Sequence, residues 1–193
     1  MVDLDCAKER KPVNQEIFER VAKESGLKVE VGGGIRDMKT IEYYLERGIE
    51  RVILGSVAVK NPELVKEAVK EFKERIAVGI DAKNGMVATE GWLEKSDVSY
   101  LDLGLAMEDA GVKTIIFTDI SRDGTLTGVN TEQLGRLNET VSCNIIASGG
   151  VSSIKDIEDC LELNLYGCIC GKALYTGALN LEEAVRKAGV QTC

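Results

Sequence analysis

The 193-residue chain has no histidine, two prolines, one tryptophan and only 5% aromatic residues. Without imidazole there is no usual general base at neutral pH, no commonest metal ligand, and no Ser-His or Cys-His nucleophile pair. Catalysis therefore falls to carboxylates, lysine, hydroxyls or cysteine. No apolar run approaches the roughly 18 residues of a membrane span, and Met1-Val-Asp-Leu-Asp5 has neither the basic nor the apolar character of a leader. A dense Lys/Arg cluster is also missing, and the net charge of −8 argues against a nucleic-acid surface or a polybasic membrane contact. Neither Pro-rich nor Ser-rich linkers interrupt the chain.

What is present is ordinary globular material, 44% apolar and 29% charged, enough for one sizeable core. The cysteines Cys6, Cys143, Cys160, Cys168, Cys170 and Cys193 match neither a paired zinc motif nor a thioredoxin-like one. Cys168 and Cys170 flank Ile169 as residues on one face of a strand would. Reduced thiols and a cytoplasmic location are the expectation.

Short β-branched runs alternate with amphipathic stretches, the rhythm of βα units around a parallel sheet. Seven strands are expected, at Val2 to Leu4, Val29 to Val31, Arg51 to Leu54, Ile76 to Ile80, Thr114 to Thr118, Asn144 to Ala147 and Gly167 to Cys170. Helices are expected around Ile41, Tyr44 and Leu45, closed by Gly48, and around Leu64, Val65, Ala68 and Val69, opened by Asn61 and Pro62. Others carry Leu101, Leu105 and Ala106 closed by Gly111, or span Thr131 to Glu139, Ser153 to Leu163 and Leu181 to Ala188.

The chain also repeats itself at an offset of 116 residues. Gly33 to Val69 pairs without a gap with Gly149 to Val185, with 12 of 37 positions identical, where composition predicts about two. The expected fold class is therefore α/β, an eight-stranded βα (TIM) barrel of two homologous half-barrels. Residues 1–193 form a single, incomplete barrel domain, with 1–75 the remainder of the first half and 76–193 the second. The unit starting at Ile76 has no partner within the first half, so one strand and one helix, about 40 or more residues, are expected to be absent. A complete seven-stranded open sheet is the alternative.

Active sites of such barrels sit at the C-terminal ends of the strands. There the chain places Gly33-Gly34-Ile35-Arg36 and Gly55-Ser56, and at the mirrored positions Gly149-Gly150 and Gly171-Lys172. Glycines let backbone N–H groups approach an anion, so two symmetry-related phosphate cradles are expected. A tight βα turn explains a single Gly-Gly equally well, but not its recurrence. Between the cradles, Asp81 ends a run so apolar that a carboxylate there is costly without a purpose. Thr118 ends the next strand, and Asp119, Asp123 and Gly124 follow it; the two aspartates also fit turn or cap roles. Lys83 fits either a counter-ion of Asp81 or a surface lysine. Trp92 fits either a mobile loop that stacks on a planar heterocycle or the core. Met38, Met86 and Met107 read as packing residues.

The runs VGGGIRD at 31–37, VILGSVAVKNP at 52–62, GIDAKNGMVATEGW at 79–92, FTDISRDGTLTG at 117–128 and IIASGGVSS at 145–153 resemble the phosphoribosylformimino-aminoimidazole carboxamide ribotide isomerases of histidine biosynthesis. The sister cyclase shares the repeat and the glycine motifs, but Gly91-Trp92 and the context of Gly55-Ser56 look like the isomerase. The resemblance implies a cofactor-free Amadori rearrangement of an aminoaldose to an aminoketose, driven by an acid and a base. It implies Asp81 as acid with Asp123 as its rival, Thr118 as assisting hydroxyl, and phosphates at Gly34 and Ser56 and at Gly150, Gly171 and Lys172. Trp92 would stack on the carboxamide-imidazole. The base, an Asp ending the first strand, would be the mirror of Asp81 and is expected to be missing, leaving activity doubtful. The expected partner is a small bis-phosphorylated ribotide, with a monomer at full length and self-association through open sheet edges here. Two alternatives remain: an isomerase that also acts on phosphoribosylanthranilate, and an inactive barrel fragment serving as a binding or assembly module.

Overall fold

A computed structural model describes residues 1–9 and 13–189. In chain order it runs α1 (Leu4–Glu9), α2 (Gln15–Glu24), β1 (Glu30–Gly32), α3 (Met38–Glu46), β2 (Arg51–Leu54), α4 (Val57–Lys60), α5 (Pro62–Phe72) and β3 (Ile76–Lys83). A hairpin of β4 (Met86–Thr89) and β5 (Glu94–Ser99) follows, then α6 (Tyr100–Asp109), β6 (Thr114–Asp119), α7 (Thr131–Thr140), β7 (Asn144–Ser148), α8 (Ile154–Glu162), β8 (Gly167–Cys168), α9 (Lys172–Tyr175) and α10 (Leu181–Lys187). The parallel sheet has the order β1-β2-β3-β6-β7-β8, and Val2 adds a parallel bridge to Gly32 outside β1. The result is a curled parallel sheet with helices packed on it, a partial βα barrel. Among the described residues the sheet is open between the Val2 segment and β8. No described helix is long and apolar enough to cross a membrane.

Local chemistry explains the helix starts. The Asn61 side chain accepts from the Leu64 N–H and Pro62 sits in the first turn of α5, which satisfies a donor that the helix leaves free. Asp156 closes a capping box with Ser153 at the start of α8.

Four expectations are corrected. The stretch Val2 to Leu4 is not a full strand: Asp3 donates its N–H to the Gly32 carbonyl, then its carboxylate accepts the Cys6 N–H at 2.9 Å, turning the chain into α1 at Leu4. Strand β8 ends at Cys168 rather than Cys170, with one flank pairing to β7. The buried face of α6 is Tyr100, Leu103, Gly104 and Met107, while Leu105 is exposed. The reason is Gly104, whose missing side chain lets α6 press onto Leu137 of α7. Met86 is exposed at the start of β4, whereas Met107 is buried and Met38 packs on the core. Helix α2 and the β4–β5 hairpin were not anticipated, although Asn84-Gly85, both at positive φ, is the two-residue turn sequence that such hairpins favour. The thiols of Cys6, Cys143 and Cys160 are buried, and those of Cys168 and Cys170 lie 3.9 Å apart on one face. Cys193 lies outside the described residues.

The repeat is visible in the packing. Gly33 and Gly149 both have positive φ, and a Cβ on them would collide with the backbone of Asp3 and Asp119, themselves 116 apart. Gly34 is pressed in the same way against Cys6, and Gly150 against Arg122 and the Gly128 carbonyl. Each Gly-Gly turn is thus the surface on which the loop from the preceding strand rests. Gly150→Ala is expected to lower stability in urea denaturation by at least about 2 kcal/mol, from a backbone collision added to left-handed strain. Gly177→Ala, at positive φ in open space, is expected to cost only about 1 kcal/mol.

Candidate active site

Strands β3 and β6 pair in register, Asp81 against Thr118. Side chains alternate across a strand, so Gly79 and Asp81 line the mouth while Val78 and Ile80 are buried in the core. The Trp92 indole N–H donates to Asp81 Oδ2 at 2.8 Å, and the Thr118 hydroxyl bonds to the same carboxyl group. Burial pushes the Asp81 carboxyl above the usual carboxylate range; the Trp92 and Thr118 bonds pull against that, and the negative charge of exposed Asp123 adds to it. A carboxyl with a raised pKa is thereby joined to a hydroxyl and an aromatic ring. Lys83 is exposed at the end of β3, so the surface reading holds for it.

Trp92 is 45% exposed, on the tip of the β4–β5 hairpin and outside the core. Glu90, Gly91 and Trp92 all have positive φ, which strains Glu90 and Trp92 but not the glycine. The tip is held on both sides. Beyond the Asp81 bond, the Glu90 N–H donates to Ser56 Oγ at 2.9 Å, and its carboxylate pairs with Lys60 at 2.9 Å and Arg36 at 3.7 Å. Arg36 also donates to the Gly34 carbonyl at 2.9 Å. Gly55, Ser56, Gly79, Asp81 and Gly91 enclose a cavity of only about 20 Å³.

The mirrored cradle is open. Asp123, Gly124, Gly149, Gly150, Gly171 and Lys172 line a cavity of about 230 Å³, and Lys172 spans it by donating to the Gly124 carbonyl at 2.6 Å. Gly33 sits at the corresponding turn of the first cradle.

Asp119 faces away from this chemistry. It is buried, which alone would raise its pKa, but bonds from Ser121 and Asn130 and the nearby Arg122 outweigh burial and hold it below the usual range. It is a turn carboxylate, and so is its mirror Asp3, bonded to Asn14 as Asp119 is to Asn130. At Asp3 the place of Arg122 is taken by Cys6, and Oδ2 of Asp3 is buried with no hydrogen-bond partner among the described residues. Asp156, missed from sequence, fastens the loop after β6 by accepting from Val129, Ser152 and Ser153. Its signal was the Ser153-x-x-Asp156 spacing. Glu90 and Lys60 were also missed; nothing local distinguishes them from solvated charges. Among the described residues no three Cys, Asp or Glu side chains are arranged to hold a metal ion.

Residues 1–180 match the family model described as histidine biosynthesis protein. The chain belongs to the histidine biosynthesis protein family. Relatives named 1-(5-phosphoribosyl)-5-((5-phosphoribosylamino)methylideneamino) imidazole-4-carboxamide isomerase are similar over nearly all of it. One from Listeria monocytogenes serotype 4b (strain F2365) is 55% identical over 185 residues, 96% of this chain and 77% of that protein. One from Listeria innocua is 56% identical over the same shares, and one from Clostridium novyi is 50% identical over 96% of this chain and 78% of its own length. Membership in the histidine biosynthesis family agrees with the resemblance read from the motifs.

The carboxylates predict a pH dependence. Folded Asp81 keeps its proton to higher pH than unfolded Asp81, so folding takes up a proton between the two values and stability falls as pH rises through that window. Asp119 and Asp156 act oppositely: their contribution is complete above the ordinary carboxylate range and is lost as pH falls through their lowered values. Urea midpoints measured against pH are expected to show Asp81→Asn gaining on the wild type as pH rises above the carboxylate range. Both proteins should lose stability in acid.

Proposed function

We propose that the chain is an aldose–ketose isomerase of histidine biosynthesis, acting on a bis-phosphorylated imidazole carboxamide ribotide with Asp81 as the general acid. One observation carries this reading: a carboxyl whose pKa burial pushes up, in register with Thr118 and capped by Trp92, lies between two glycine cradles. The relatives' printed name supplies the substrate class and its two phosphoribosyl groups.

In this reading the ligand spans the mouth, one phosphate on Gly34 and Ser56 and the other on Gly150, Gly171 and Lys172. Asp81 gives its proton to the ring oxygen of the aminoaldose, and Thr118 steadies the carboxylate that results. Loss of the C2 proton then yields the enolamine that tautomerises to the aminoketose. Trp92 covers the imidazole carboxamide and excludes water. Asp123, on the rim, raises the Asp81 pKa through its charge and is the second candidate for the acid. The base that the family resemblance places on its first strand has no mirror of Asp81 within these 193 residues, since 81 − 116 is negative. It belongs on the open side of the sheet, between the Val2 segment and β8.

Turnover of the aminoaldose ribotide tests this in the chain as it stands and in the chain joined to a βα unit whose strand ends in Asp. Little or no turnover is expected alone, with recovery in the joined protein. There Asp81→Asn should cut kcat about 10³-fold with substrate affinity nearly unchanged, as for loss of a general acid. Near-normal turnover by the 193-residue chain would overturn the missing base, and an unaffected Asp81→Asn would overturn the acid.

A further inference from the structure

The two cradles are related by the repeat, yet one is filled and the other open. The difference lies in the hairpin tip. At the Ser56 end three groups suited to an anion, the Ser56 hydroxyl, the Lys60 ammonium and the Arg36 guanidinium, all engage a single residue, Glu90. Glu90 is mostly buried there, its side chain 14% exposed, and the cavity beneath has room for about one water. The Gly171 end has no such insertion and keeps a cavity of about 230 Å³.

We propose that Glu90 is a built-in placeholder for the ligand's phosphate at the Gly34–Ser56 cradle, exchanging with it as the hairpin tip lifts. The carboxylate, together with Glu94 on Lys60 at 3.0 Å, keeps Arg36 and Lys60 gathered and charge-balanced until a ligand arrives. An incoming phosphate dianion cannot share that space with a carboxylate, because like charges a few ångströms apart repel strongly in a partly desolvated site. It must displace Glu90, taking over Arg36 and Lys60 and gaining access to the Ser56 hydroxyl. Because Glu90 and Trp92 sit two residues apart on one strained tip, the exchange also breaks the Trp92–Asp81 bond and lets the indole reposition over a ligand. Loading is therefore ordered: the open Gly150–Gly171 cradle fills first, and the Ser56 cradle fills only with lid movement. Glu90 is a positioning residue, acting through Arg36, Lys60 and the tip.

The inference rests on the two-phosphate reading above, and the test separates the two. Trp92 is the only tryptophan, so its emission reports the tip directly. Inorganic phosphate is titrated into the purified chain and into Glu90→Gln and Glu90→Ala, following heat and Trp92 fluorescence, with circular dichroism to confirm folding. The wild type is expected to bind one phosphate without a change in emission and a second, more weakly, with one. Both variants should bind the second about tenfold tighter, the effect of removing one like charge near the site, with the first site unchanged. Their emission without phosphate should already resemble that of the saturated wild type. If the second site is unchanged or weaker in both variants, Glu90 only braces the hairpin; the placeholder is overturned while the two-cradle reading stands. If no phosphate binds to any of the three proteins, the two-phosphate reading falls and this inference with it.

Discussion

The register of β3 against β6 is the constraint on which the mouth depends. With Asp81 opposite Thr118, the carboxyl, the hydroxyl and the indole of Trp92 meet at one point. A slip of one residue would turn Asp81 into the helix layer and bring Ile80 into the mouth. The slip is opposed by the apolar residues on the other face: Val78, Ile80, Ile115 and Phe117 are all buried, and exposing them together would cost several kcal/mol by ordinary burial values. The acid is thus positioned by residues that never touch a ligand.

The second support is the absence of side chains at four glycines. Gly33, Gly34, Gly149 and Gly150 carry the loops that follow the Val2 segment and β6, and those loops lie too close for any Cβ. The same glycines that present backbone to an anion are therefore required by packing alone. Both readings offered by the sequence, tight turn and phosphate cradle, describe one arrangement. The repeat reaches deeper than the identities that first revealed it, because the Asp3–Asn14 pair is answered by Asp119–Asn130 at the same offset. The two halves have diverged where Cys6 stands at the position equivalent to Arg122, and among the described residues one carboxylate oxygen of Asp3 has no hydrogen-bond partner.

Against this symmetric frame the β4–β5 hairpin is the asymmetric addition. It brings the only tryptophan and a carboxylate to one end of the mouth, so that one cradle is closed and the other open. The hairpin stands on a rigid strand, β3, but its tip carries three consecutive residues in the left-handed region, two of them not glycine. Such strain is retained where binding or movement uses it.

The sequence by itself determined whatever rests on local chemistry or on comparison of the chain with itself. Helix α5 was legible because Asn61 and Pro62 satisfy its first turn from adjacent positions, and the two halves because identities recur at one offset. Asp81 stood out because a carboxylate ending an apolar strand is costly anywhere. Tertiary structure alone decided the rest. The face of α6 turned because Gly104 meets Leu137, the first strand stopped because Asp3 bonds both Gly32 and Cys6, and Glu90 became part of the mouth through Ser56, 34 residues away. Apart from the local Asp3–Cys6 bond, each of these contacts joins residues distant along the chain, and a charge or a glycine looks the same in sequence whether its partner is water or the far wall of a barrel.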